Sequence, residues 1–124
     1  MAEFIKGNAV EMVDCAGLMT RLDNDSALLQ EIVAMFLEQS VELLNDIKAA
    51  IHQGDLKKLQ FSAHTLKGSA RTFCAPVTSE AAQALEDMGM NGDLAHADSA
   101  VAHLEAALLQ MTQSLVSFSA QFSS

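Results

Sequence analysis

A histidine, two cations and a glycine fall in helical register near the middle of the chain: His64, Lys67, Gly68 and Arg71. At about 100° per residue the segment Asp55–Cys74 has two distinct faces. Leu56, Leu59, Ala63, Leu66, Ala70 and Phe73 step by threes and fours into one apolar stripe. Lys57, Gln60, Phe61, His64, Lys67, Gly68 and Arg71 occupy the flank away from it. His64 is therefore expected to point outward, with Phe61 and Lys67 one turn to either side. An outward histidine with cations at i+3 and i+7 has the makings of a nucleophile beside a cradle for an anion. A glycine inside a helix costs about 1 kcal/mol against alanine, and close approach by another molecule is one reason to keep it. A solvated face with an incidental histidine is the plain alternative. Three residues in register with His64 weigh against it.

The flanking sequence supplies the elements that must hold this face in place. Ala9 to Leu22 reads as a short amphipathic helix, with Met12, Cys15, Ala16, Met19 and Leu22 inward; Met1–Asn8 has no periodicity and is expected to be a loose arm. Asp23, Asn24, Asp25 and Ser26 are N-cap formers. The apolar face then runs through Leu29, Ile32/Val33, Phe36/Leu37, Leu43/Leu44, Ile47 and Ala50/Ile51, and the sequence leaves open whether residues 25–53 form one helix or two broken near Gln39-Ser40. Gly54 as a helix stop and Asp55 as the next cap predict a tight antiparallel hairpin. Pro76 suits the first turn of a further helix whose buried stripe is Val77, Ala81, Ala84/Leu85 and Met88, with Glu80, Gln83, Glu86 and Asp87 polar. Met88–Asp93 reads as a turn, with Asp93 capping a last helix that keeps a 3-4 alternation from Leu94 to Phe122. The fold class is all-α: an antiparallel up-down four-helix bundle with a short additional N-terminal helix, in one domain over residues 1–124.

Composition narrows the function. Half of the 124 residues are hydrophobic and one is proline, which favours helix over strand. A net charge of −9 argues against nucleic acid as a partner. From Lys48 to Arg71 there are five basic residues against one acid, so this island carries +4 and the remainder −13. A ligand or partner for the His64 face should be anionic. Cys15 and Cys74 lack CxxC spacing and read as free thiols in a reducing compartment. No run is long enough to span a bilayer, and no secretory leader is evident, so a cytoplasmic protein is expected. His96 and His103, at i and i+7, lack metal-site spacing, and no metal site is expected. P-loop, kinase glycine loop and GxSxG elbow are all missing from the sequence.

The run His64-Thr65-Leu66-Lys67-Gly68-Ser69, followed by Ala70 and Phe73, resembles the signature of histidine-containing phosphotransfer (HPt) domains. Arg21 to Asp25, Phe36-Leu37, Gly54-Asp55-Leu56, Leu85-Glu86 and Gly92-Asp93-Leu94 extend the resemblance, so that it covers the chain from Val13 to Leu115. One position departs: Cys74 stands where the family usually has glycine, with a slightly wider helix spacing expected there. The resemblance implies that His64 accepts a phosphoryl group and passes it between a sensor or hybrid histidine kinase and the aspartates of response-regulator receivers. It implies that Lys67, with Arg71 second, offsets the phosphoryl charge, and that Gly68 leaves room for the receiver. Glu86 would bond His64 Nδ1 from the neighbouring helix, with Gln83 able to share that role. Phe61, Gln60 and Lys57 would belong to the docking face. No cofactor is implied for this chain; Mg²⁺ would come from the receiver. The protein would be a monomeric phosphocarrier rather than an enzyme. The alternative is a helical adaptor or dimerisation module that docks receivers without transferring phosphate, using the regular last helix.

Overall fold

The computed structural model describes residues 12–122, all helical apart from short links. Among the described residues five helices follow one another: α1 (Cys15–Arg21), α2 (Ser26–Gln53), α3 (Leu56–Thr72), α4 (Pro76–Asn91) and α5 (Ala97–Ala120). Three aspartates start the first three. Asp14, Asp25 and Asp55 accept hydrogen bonds from the backbone N–H of Gly17, Leu28 and Lys58 at 3.0–3.1 Å, supplying acceptors for donors that have no partner within the helix. The α2–α3 connection is Gly54-Asp55, with Gly54 in the left-handed conformation at φ +70°.

The four long helices close into a ring in which α2 packs on α3, α3 on α4, α4 on α5 and α5 back on α2. With links this short each is antiparallel to the one before it, and α1 stands against one end. Leu18, Leu29, Phe36, Ile47, Leu59, Leu66, Leu85, Leu104, Met111 and Leu115 are fully buried in one core. Phe36 and Phe73 meet at a ring-centroid distance of 5.0 Å.

α2 is one continuous helix of 28 residues, which settles the open question at Gln39-Ser40. Ser40 is buried and its hydroxyl donates to the Leu37 carbonyl at 3.2 Å, so its polarity is satisfied without a break. Three expectations need correction. Met12 and Val13 are bends, so α1 begins later than Ala9; Ala9–Glu11 and the arm at 1–8 lie outside the described residues. Met88–Asn91 are not a turn but the last turn of α4, which stops at Gly92, φ +74°. Asp93 accepts from Ala95 N–H at 3.0 Å as a loop cap, and α5 starts only at Ala97.

Cys74 adopts φ +57°, a conformation that glycine takes at no steric cost. Backbone conformation is thus what would favour glycine at this position, whereas the expectation of wider spacing rested on side-chain size. The Cys74 carbonyl accepts from Asp14 N–H at 2.8 Å and ties α1 to the α3–α4 link.

Candidate functional site

α3 and α4 make the most extensive helix pair in the molecule. Their close approach rests on Gly89. A Cβ there would lie 2.9 Å from Gln60 N and 3.0 Å from Leu56 O, both backbone atoms of α3 that cannot swing aside. Gly89 is one turn from Glu86 and Gln60 one turn from His64, so this contact sets the spacing of the site. Sequence reasoning assigned Gly89 to a turn and missed it; the signal was a glycine three residues ahead of the true stop, Gly92.

His64 stands on the outer face of α3 with 64% of its side chain exposed. Its Nδ1 lies 3.0 Å from Glu86 Oε2 on α4. The Glu86 carboxyl is held below the usual carboxylate value, chiefly by Lys67; burial opposes this, and His64 adds to the lowering. An ionised carboxylate only accepts, so Nδ1 carries the proton, and in the neutral ring the lone pair is on Nε2. Glu86 is 7% exposed, and the structure places its carboxylate within hydrogen-bond distance of the histidine ring.

Lys67 is not on the open face where its place in the sequence suggested it. It is 8% exposed and turned inward, with Nζ 2.6 Å from Glu86 Oε1. Nζ also donates to Gln83 Oε1 at 3.0 Å, and Gln83 Nε2 donates to Asp87 Oδ1 at 2.8 Å. Glu86 Oε1 has no other polar partner among the described residues. Lys67 is thus the counter-ion of the carboxylate that orients the histidine, not an open cation beside it. Gln83 is hydrogen-bonded to Lys67 and Asp87 rather than to His64, so it does not share the role of Glu86 in this arrangement. Asp87, at the end of this chain of bonds, was read only as polar.

Lys57, Gln60, Phe61, His64 and Glu86 line one hollow of about 490 Å³. Phe61 is 71% exposed at its rim, an unusual degree for a phenylalanine. Gly68 is exposed, and a Cβ built there meets nothing within 4 Å, so no internal packing calls for glycine. Arg71 is not brought to the hollow. Two turns or about 10 Å along the helix from His64, it lines a separate depression of about 610 Å³ with Asp14, Arg21, Cys74 and Glu80. The basic island is likewise divided: Lys48 pairs with Glu105 on α5. No group of three metal-ligating side chains occurs among the described residues, and no described helix is long and apolar enough to cross a membrane.

Comparison of the chain with curated proteins finds no match. Among solved structures the fold is similar to that of histidine-containing phosphotransfer protein B (HptB) from Pseudomonas aeruginosa PAO1, with a TM-score of 0.76 and 21% identity over 91% of this chain and 98% of that one. The family model for the Hpt domain matches residues 31–114, which include His64, its partner Glu86 and all of α3 and α4. That match covers well over half of the sequence, and the chain belongs to the Hpt domain family, the histidine phosphotransfer domains of two-component systems.

Proposed function

We propose that His64 is the phosphoryl acceptor, and that the protein passes the group between a sensor or hybrid kinase and receiver aspartates. The observation that carries this reading is the His64 Nδ1–Glu86 Oε2 contact of 3.0 Å on an otherwise open ring. It leaves Nε2 as the free nucleophile. Nε2 attacks the phosphorus of a receiver's aspartyl phosphate; the N–P bond forms, the O–P bond breaks, and the leaving group is the aspartate carboxylate. The Nδ1 proton stays on the ring, whose developing positive charge is met by Glu86. The reverse step returns the group to another aspartate.

Gly68 supports the reading as bare helix surface on which a receiver can close. Phe61, Gln60 and Lys57 ring the hollow at which it would arrive, Phe61 giving apolar contact and Lys57 charge. The chain supplies no nucleotide site of known pattern, so it acts as a carrier, and any Mg²⁺ belongs to the receiver. The test is incubation with a phosphorylated receiver. Wild type should become labelled at an acid-labile, base-stable phosphoramidate, and His64→Gln, folded by circular dichroism, should stay unlabelled. Labelling of the variant at the wild-type rate overturns the assignment; docking without labelling of wild type selects an adaptor instead.

A further inference from the structure

The carboxylate that orients His64 is shared with a cation, and the residue that divides it lies one turn away along α4. Glu86 Oε1 meets Lys67 Nζ at 2.6 Å, while Oε2 faces His64 Nδ1 at 3.0 Å. An ammonium carries three donors on a flexible stem, so nothing in Lys67 itself confines it to one oxygen. Gln83 supplies the confinement. Gly89 lies against Gln60, and in an antiparallel pair this sets Glu86 level with His64 and Gln83 level with Lys67, on the side away from the ring. From that side Gln83 Oε1 accepts from Nζ at 3.0 Å. The amide is oriented in turn, because its Nε2 donates to Asp87 Oδ1 at 2.8 Å, one turn on along the same face. An ammonium only donates and a carboxylate only accepts. With Lys67 at one end and Asp87 at the other, the amide has one satisfactory orientation.

We propose that Gln83, oriented by Asp87, is a positioning residue for His64: it holds Lys67 on Oε1 of Glu86 and so reserves Oε2 for Nδ1. The ring proton is thereby fixed on Nδ1 and the lone pair on Nε2. Without the Gln83 acceptor, Nζ spreads over both carboxylate oxygens and Nδ1–H loses its undivided acceptor. The ring then drifts toward the tautomer that a solvated histidine prefers, with the proton on Nε2, where no lone pair remains for attack. Neither Gln83 nor Asp87 lines the hollow beside His64, so docking there is untouched. The consequence for transfer rests on the reading of His64 as the phosphoryl acceptor; the tautomer does not.

The test reads the ring itself in the full chain, with no phosphate or receiver present. Long-range proton–nitrogen spectra at alkaline pH, where histidine rings are neutral, report which nitrogen carries the proton, and His64→Gln identifies the His64 signals. His52, His96 and His103 are exposed and give the solvated reference. Wild-type His64 should show mainly Nδ1–H, and Gln83→Leu should move it toward the reference. Asp87→Ala should move it the same way but less, and serves if Gln83→Leu loses its fold. Gln83→Glu/Asp87→Asn reverses donor and acceptor between the two positions and keeps an acceptor for Lys67, so it should restore the wild-type ring. Three results each overturn the proposal: a wild-type ring already like the reference; a ring unmoved in Gln83→Leu, or in Asp87→Ala if the first variant is unfolded; and a double variant no closer to wild type than Gln83→Leu, which would mean that Gln83 only packs. With a phosphorylated receiver, Gln83→Leu should transfer several-fold more slowly at saturation, with an unchanged half-saturating concentration. An unchanged rate from an altered ring overturns the link to transfer, whereas a wild type that takes no label overturns the acceptor reading alone.

Discussion

Replacing Lys67 by methionine keeps the length of the side chain and removes its charge. It would leave Glu86 Oε1, buried and otherwise unpartnered, without its counter-ion. Leaving a buried polar group unsatisfied costs about 1–3 kcal/mol, and breaking a fully buried ion pair reaches about 3–5 kcal/mol. Glu86 limits the loss by taking up a proton, so a destabilisation of about 2 kcal/mol is expected, or about 6–10 °C in Tm for a chain of this size. The pH dependence fixes the mechanism. In wild type the Glu86 value is lowered on folding, so its stabilisation is present above the ordinary carboxylate range and is lost as pH falls through the lowered value. In Lys67→Met the largest lowering cause is gone and burial raises the value, so the variant gains stability as pH falls. The gap between the two proteins should narrow from pH 7 to pH 5. Urea denaturation followed by circular dichroism measures it, with Lys67→Met/Glu86→Gln as the control that should recover much of the loss. A loss under about 0.5 kcal/mol that is flat with pH, accompanied by slow phosphoryl transfer, would refute the ion-pair role and return Lys67 to the phosphoryl group itself.

Gly89→Ala should drive α4 away from α3, because the new Cβ meets Gln60 N at 2.9 Å. Overpacking of about 1–3 kcal/mol, set against about 1 kcal/mol of helix propensity, predicts a loss of up to about 2 kcal/mol, together with slower transfer as Glu86 retreats from His64; an unchanged melting temperature and rate would contradict it. Gly68→Gln should raise stability by up to about 1 kcal/mol, yet slow transfer at least several-fold by filling the receiver's approach; wild-type transfer would show that Gly68 is not there for access. Lys57→Glu/Lys58→Glu should slow association with a cognate receiver in stopped-flow mixing and flatten its salt dependence. An association rate indifferent to both changes would remove steering from the account.

The features legible in the sequence were those governed by local rules. Asp25, Gly54 and Asp55 cap and stop helices by their own chemistry, and His64, Phe61 and Gly68 are outward by angle alone. Lys67 was misjudged because angle does not say which neighbour covers a helix edge. The helical wheel places it about 60° from His64 but about 40° from Ala63, on the border where α4 packs. A long amine on that border turns inward only because Glu86 and Gln83 wait there, and their positions depend on the register of α3 against α4. That register depends in turn on Gly89, whose role is invisible without the partner backbone. Glycine in a single sequence reads equally as a stop and as a close contact; here Gly92 is the first and Gly89 the second.

The division of the basic island bears on how a phosphoryl group would be held. Lys48 is bound to Glu105 and Lys67 to Glu86, so neither cation is free for a group on Nε2. Lys57 lines the same hollow as His64, whereas Arg71 opens into another. On the proposed reading, a phosphoryl group on His64 shares its hollow with one exposed cation among the described residues, Lys57, and sits on a ring whose positive charge is stabilised by Glu86. Such a group is weakly compensated by the protein that carries it. On that reading the stronger electrostatic partner would be a receiver, approaching over Gly68 and Phe61. A carrier built this way gains in transferability what it gives up in retention, because tight binding of the ground state would raise the barrier to the next transfer.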